Sequence, residues 1–370
     1  MIEGLFANNN FALEKSVLNI GNLGRIKNVI NKARNGEPVT IVYLGGSITQ
    51  GSGSGDGKPY VRWTSEFWQE TFPESELTWI NAGLGATGSI LAVFRMDKSV
   101  IEAKPDILVI DHSVNDVGDE GRVPGSTKQT YECVIRKGLL AGAAVVPICF
   151  CNQAGCSNRD MNLELAKYYD LPFISVDDGI YESLIKSGKY PWSDYSGDGV
   201  HPNAEGHKMA AELLINYFKK AMDDESVKPT AEHEVPTPLF GDAYMNTEFL
   251  ASEDITPVSM GDFTEGDFGF GQFKGGWICE DAGEPIVFSL KNCKIVHIAY
   301  VRDISPLAGT AEVTVNGKVY NFDSSFEGGW GRYAITQQVF CSENGEDVTL
   351  SIKSTSEGKR FALLRIMIVK

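Results

Sequence analysis

Ser47 closes the run Thr40-Ile-Val-Tyr-Leu-Gly-Gly-Ser47, where a short apolar strand stops at two glycines and hands a hydroxyl to the turn before a helix. A serine hydroxyl is a poor nucleophile at neutral pH; it needs a base within hydrogen-bond reach and a third group that fixes the base's tautomer. Asp198-Gly-Val-His201-Pro202 supplies both from one tight loop, with a spacing that lets the carboxylate meet one ring nitrogen while the other faces Ser47. The remaining need is a set of donors for the oxyanion of a tetrahedral intermediate, where loss of one donor costs on the order of 100- to 1,000-fold in rate. Three candidates stand at strand ends: the backbone N–H of Ser47, a glycine N–H in Gly83-Leu-Gly85, and the side-chain amide of Asn115 in Val114-Asn115-Asp116. Together they make the toolkit of acyl transfer.

Each residue also has a plainer reading. Alone, Ser47 reads as a serine capping the next helix, and His201 as a loop histidine held by Pro202 and Asp198; taken jointly, the nucleophile reading outweighs both. His207 reads as a helix-surface residue, and its six-residue gap from His201 fits no metal-ligand spacing. Cys149, Cys151 and Cys156 lack a fourth ligand and C-x-x-C spacing, so no zinc site is expected. Glu253, Asp254, Asp262, Glu265 and Asp267 lack an EF-hand pattern and read as a solvated acidic face. Gly83-Leu-Gly85-Ala-Thr-Gly88 is a G-x-G-x-x-G run after a strand, with Asp111 ending the next strand, as in dinucleotide-binding units. Against that reading, this would be the second strand rather than the first, and the serine, Asn115 and Asp198/His201 segments would go unexplained. The Gly51 to Gly57 loop is no phosphate cradle, since Ser52 and Pro59 break the P-loop pattern, and it reads as a flexible loop.

The elements that must position these groups follow from periodicity. Leu23, Ile26, Val29, Ile30 and Ala33 recur at helical spacing before Gly36 and Pro38. Strands are expected at 40–44, 77–80, 107–110, 145–150 and 173–176, each followed by room for a crossover helix, and a last helix at 204–221. Such runs without alternating polarity argue for a parallel sheet covered on both faces. Trp63, Phe67 and Trp68 follow helical spacing and read as core. Residues 1–225 form this first domain, and 226–240 a proline-marked linker. Residues 241–370 form a second domain of short β-rich runs at 285–290, 295–301, 311–315, 318–322, 333–340, 348–352 and 361–369, an antiparallel sandwich or jelly roll. Val315-Asn316-Gly317-Lys318 is a hairpin turn of the Asn-Gly type.

At 370 residues, two cores are the default. The formal charge of −16 is spread over both parts, with 11 Lys+Arg against 20 Asp+Glu beyond residue 228. Polyanions are repelled by both, so nucleic acid and anionic membrane surfaces are excluded as partners. Seven cysteines, two of them inside an apolar strand, read as reduced buried thiols. Met1 to Asn10 lacks a basic region followed by an apolar core, so a cytoplasmic location is expected.

Gly45-Gly46-Ser47-Ile48-Thr49, Asn81-Ala-Gly83-Leu-Gly85, Val114-Asn115-Asp116 and Asp198-Gly-Val-His201-Pro202 resemble, in order, the four blocks of the SGNH or GDSL-type hydrolases, across roughly residues 40 to 220. The resemblance implies a flavodoxin-like three-layer α/β/α fold and ester hydrolysis by Ser47, His201 and Asp198, with no metal or cofactor. It implies an oxyanion hole from Ser47, Asn115 and a block-two residue, with Gly85 preferred over Gly83 or Ala86. Two positions depart from the pattern: Gly46 where the family often has Asp, and Ser113 where it usually has Gly. A catalytic domain followed by a sandwich is similar to carbohydrate esterases of this superfamily that remove acetyl groups from glycans, the sandwich resembling a carbohydrate-binding module. Trp330, between glycines, is then a candidate for stacking on a sugar, or a packed strand residue. Trp192 and Tyr195 are candidates to line the acyl or glycosyl pocket. Alternative readings are a lipid or thioester acyl hydrolase with the same triad, a dinucleotide-dependent enzyme through Gly83 to Gly88, and a non-catalytic carbohydrate-binding protein.

Overall fold

The central apolar runs of the N-terminal half are buried on both sides, whereas the edge run at 77–80 is partly exposed. Along β2 (Val39–Gly45), β4 (Ile107–Asp111) and β5 (Ala144–Cys149), almost every side chain is out of water. This is the signature of a parallel sheet with helices on each face. The computed structural model describes residues 10–123, 125–231, 234–267 and 273–370, in two compact units, Met1–Asp242 and Ala243–Lys370. Nearly all of the N-terminal segment read above for a leader, residues 1–9, lies outside the described residues.

In the first unit β1 (Val17–Asn19), β2, β3 (Leu77–Gly83), β4, β5 and β6 (Phe173–Ser175) form one sheet in the order β1-β6-β5-β4-β2-β3. β1 is antiparallel to β6, and the other pairings are parallel. The five parallel strands therefore follow the flavodoxin-like order 2-1-3-4-5. The sheet is covered by α1 (Asn10–Ser16), α2 (Gly24–Arg34), α3 (Ser47–Gln50), α4 (Tyr60–Thr71), α5 (Ser89–Ser99), α6 (Asn115–Arg122), α7 (Ser126–Leu140), α8 (Arg159–Tyr168), α9 (Trp192–Tyr195) and α10 (Ala204–Asp223). A π-helical segment spans Asp177–Ile185. Ile41, Tyr43, Val109, Val146 and Ile174 share a core with α2, α4 and α10. On the opposite face Gly138 of α7 sits so near Leu108 and Val145 that a Cβ there would lie 2.7 and 2.9 Å from their methyl groups. The three-residue β1 is too short to show a period, and sequence alone misses it.

The end of the stretch expected as a linker is held to the first unit. The buried Glu132 carboxylate of α7 accepts from the N–H groups of Leu239, Phe240 and Gly241 (2.5, 2.7 and 3.0 Å). Tyr168 donates to the Thr237 carbonyl, and Arg136 to that of Pro236.

The second unit is antiparallel throughout its strand pairs: β7 (Thr247–Leu250), β8 (Thr264–Glu265), β9 (Trp277–Cys279), β10 (Ile286–Arg302), β11 (Thr310–Val315), β12 (Lys318–Asp323), β13 (Tyr333–Ser354) and β14 (Phe361–Val369). Its core stacks Tyr300 between Phe322 and Phe361 at 5.0 and 5.4 Å. Two pairs of expected strands are each one long strand here. The polar breaks at 291–294 and 341–347 are irregularities in the β10–β13 register rather than turns. They face each other: Asn292 adopts φ 51°, and a Cβ on Gly345 would meet its amide oxygen. The hairpin at Asn316-Gly317 forms with φ of 46° and 86°, as a type I′ turn requires.

Candidate active site

Where β2 and β4 lie side by side, the chain reverses direction across the sheet, and the crevice beyond their carboxyl ends is the natural ligand site of such a fold. Ser47 and Asn115 open α3 and α6 on the two sides of that crevice. Ser47 Oγ lies 2.8 Å from His201 Nε2, although 154 residues separate them. His201 Nδ1 lies 2.7 Å from Asp198 Oδ2. The other carboxylate oxygen of Asp198 accepts from the N–H groups of Val200 (2.7 Å) and His201 (2.6 Å). Partial burial pushes this carboxyl up, but the bonds from the His201 ring and the two amides outweigh it and hold the group below its ordinary range. An ionised Asp198 thus fixes the tautomer in which Nδ1 carries the proton and Nε2 accepts from Ser47.

The turn around Ser47 has no room to spare. A Cβ on Gly46 would lie 2.2 Å from Asn115 Oδ1, which explains why no side chain stands where the family pattern often has Asp. Ser113, the other departure, is fully buried; its hydroxyl lies 2.7 Å from Asp111 Oδ1 and 2.9 Å from both the N and O of Phe150, tying the end of β4 to that of β5. Burial raises Asp111 to about 6 despite its bonds from Ser113.

In block two the Gly83 N–H is already given to Asn81 Oδ1 (2.9 Å), and that of Leu84 to the Gly45 carbonyl (2.9 Å). Gly85 comes next and lies beside the nucleophile, where a Cβ would be 3.9 Å from that of Ser47. Ala86 follows in the left-handed region at φ 58°. Gly83 is thereby disfavoured as an oxyanion donor. The dinucleotide reading meets a physical obstacle at the same loop. The start of α5, where a pyrophosphate would sit, is filled by carboxylates: Asp116 Oδ1 accepts from Ser89 N at 2.6 Å, and Asp119 lies against Gly88.

The Asp198–His201 loop is built by residues that sequence reasoning passed over. Ser196 Oγ lies 2.8 and 2.6 Å from the carbonyls of Asp198 and His201. Gly53 adopts φ 89° against Pro202, and a Cβ there would lie 2.3 Å from the Pro202 oxygen and 2.9 Å from His201 Cβ. Gly53 of the 51–57 loop is thus a close support of the histidine's turn. His207, expected on a helix surface, is fully buried. It accepts from Tyr60 N through Nδ1 (3.3 Å) and donates through Nε2 to the Ser52 carbonyl (3.0 Å), joining α10 to that support, and burial holds its pKa down. The turn-rich Ser196-Gly-Asp198-Gly was a visible signal for Ser196; nothing local marks His207.

Tyr195, expected to line a pocket, is only 2% exposed and belongs to the core, packed against Trp192 at 5.2 Å. Its closeness in sequence to the Asp198 loop did not bring it to the surface, because the short α9 turns its ring inward. Trp192 donates to the Asp198 carbonyl (2.6 Å) and packs on Tyr181 of the π-helical segment, bracing the loop. In the second unit Trp330 is 67% exposed, grouped with Phe326 and Tyr333 at 5.7 and 5.2 Å.

Residues 43–209 match the GDSL-like lipase/acylhydrolase family. No curated protein sequence matches the chain. Among solved structures, the chain is similar to a two-domain esterase active on acetylated mannans, 27% identical with a TM-score of 0.89, over 97% of this chain and 98% of that one. It is likewise similar to such an esterase co-crystallised with mannopentaose, at 26% identity and a TM-score of 0.87 over 97% and 98% of the two chains.

Proposed function

Starting from a chain whose residues 43–209 form a GDSL-like hydrolase domain, and which is therefore a carboxylic-ester hydrolase, we propose that it is a serine esterase that removes acetyl groups from carbohydrate hydroxyls. The observation that carries this reading is the continuous relay from Ser47 Oγ through His201 to Asp198, at 2.8 and 2.7 Å, beside Asn115 and Gly85. Ser47 Oγ attacks the acyl carbon while its proton passes to His201 Nε2. The oxyanion is received by the N–H groups of Ser47 and Gly85 and the Asn115 amide. On collapse the sugar oxygen leaves with the proton from His201, and acetyl remains on Ser47. Water then gives its proton to His201 and attacks the acetyl carbon, and Ser47 leaves with the proton as acetate is released. Asp198 orients the ring and stabilises the imidazolium throughout. None of these steps calls for a metal.

The glycan class rests on the likeness, over both units, to esterases active on acetylated mannans. The exposed Trp330 group adds an aromatic face of the kind that stacks on sugar rings. The test is acetate release from acetylated mannan, xylan and pectin oligosaccharides, with p-nitrophenyl esters of increasing chain length alongside. Ser47→Ala is expected to lower kcat by roughly 10⁴-fold or more while the protein stays folded. A variant that still turns over would overthrow the nucleophile assignment. Preference for long acyl chains, with no acetate from any glycan, would instead favour a lipid acyl hydrolase.

A further inference from the structure

The block-two loop leaves β3 and Asn115 follows β4, yet their donors must converge on one oxygen atom. At its start the loop is fixed by the Leu84 N–H on the Gly45 carbonyl, and within it Thr87 Oγ1 donates to the Leu84 carbonyl (2.7 Å). Between these points Ala86 holds a left-handed conformation at φ 58°, which disfavours an L-residue and lasts only where surroundings enforce it. At the far end of the loop stands Asp116, fully buried and adjacent in sequence to Asn115. Its Oδ1 accepts from Ser89 N at 2.6 Å, and its own N–H donates to the His112 carbonyl at 2.9 Å. Gly88 fits beneath it with φ −98° and ψ −168°, values open to any residue, yet a Cβ there would lie 2.4 Å from both Asp116 Oδ1 and Asp119 Oδ2. Burying a carboxylate is costly, and one hydrogen bond at a helix start can be had more cheaply from serine or threonine.

We propose that Asp116 is a positioning residue: its side-chain Oδ1 clamps the 84–89 loop onto the helix that begins at Asn115, so that the Gly85 and Asn115 donors share one rigid mount. The proposal rests on the serine-esterase reading and goes beyond it in naming what sets the oxyanion geometry. Gly88 is the complementary half of the clamp, since its bare Cα leaves the space that the two carboxylates occupy.

The experiment compares Asp116→Ala, Asp116→Asn, Gly88→Ala and Ser47→Ala with the parent protein. It measures thermal midpoint, kcat and KM on p-nitrophenyl acetate, and inhibition by phenylboronic acid, whose tetrahedral serine adduct uses the oxyanion donors. Asp116→Ala and Gly88→Ala are expected to lower kcat about 10- to 100-fold, to weaken the boronate by a similar factor, and to change KM less than about threefold. Asp116→Asn retains an acceptor for Ser89 N and is expected to keep most of the activity. Should Asp116→Ala fail to fold, Gly88→Ala carries the test with both carboxylates in place. Folded variants whose kcat and boronate affinity stay within about twofold of the parent overturn the clamp. So does an activity loss that vanishes on assay well below the melting midpoint, because that would be a stability effect alone. Hydrolysis by Ser47→Ala would strike the serine reading itself; an inert Ser47→Ala beside an undiminished Asp116→Ala strikes only the clamp.

Discussion

The two halves of the candidate site are built on opposite principles. The nucleophile and oxyanion half sits on the ends of parallel strands, where Gly46, Ser113, Asp111 and Asp116 are locked by contacts from other strands and helices. The acid–base half is a short loop whose bonds are mostly local, from Asp198 to His201 and Val200 and from Ser196 to the same turn. Its side chains are also more exposed, Asp198 by about half. A donor array must not relax as charge develops, since its contribution comes from being preorganised. A base that accepts and returns a proton needs only its tautomer and one direction of approach.

That contrast can be broken most sharply at Asn115. Asn115→Ala removes a donor from the rigid half, and kcat on p-nitrophenyl acetate is expected to fall about 100- to 1,000-fold with a small change in melting midpoint. A drop under fivefold would mean that the amide faces no developing charge. The local half also leans on a distant segment at Gly53. Gly53→Ala both strains a left-handed residue and drives a methyl into Pro202 and His201, so roughly 1–3 kcal/mol of stability is expected to be lost, with kcat reduced about tenfold. An unchanged melting curve would show that the 51–57 loop yields freely and does not hold the histidine.

The smallest effect at neutral pH is expected at Asp111, and it sharpens the comparison through the sign of its pH dependence. Its folded carboxyl is raised to about 6, so between the unfolded value of about 3.9 and 6 the folded state binds more protons, and stability falls as pH rises through that window. Asp198 is lowered instead; its contribution is present above about 3.9 and is lost as pH falls below that. Denaturant titrations from pH 4 to pH 7 should therefore show stability rising less, or falling more, with pH in the parent than in Asp111→Asn, with neutral activity within about threefold of the parent. An identical slope in both proteins would contradict the assignment.

The same contrast decides how much was legible beforehand. Strands such as Ile107–Asp111 and the hairpin at Asn316-Gly317 announce themselves through apolar runs and turn chemistry, which are properties of neighbours in sequence. The four chemical blocks are legible for the same reason, each being a short segment with its own spacing. The fused strands β10 and β13 were read as four, because a polar break looks alike whether it ends a strand or bulges within one. His207 and Tyr195 were misplaced because their surroundings come from distant segments, Ser52 and Tyr60 for one and the core around α9 and α10 for the other.

By itself, then, the order of residues determined which groups were available for chemistry, most of the parallel strands and the long helices, and that two differently patterned halves follow one another. Only the tertiary structure decided that Ser47 and His201 meet across 154 residues, that Gly83 has no N–H to spare, and that carboxylates rather than a phosphate occupy the start of α5. The division has a physical cause. Periodicity and turn preference act over a few residues, whereas a vacancy is filled, or a hydrogen bond claimed, by whatever the packing of remote segments brings within about 3 Å.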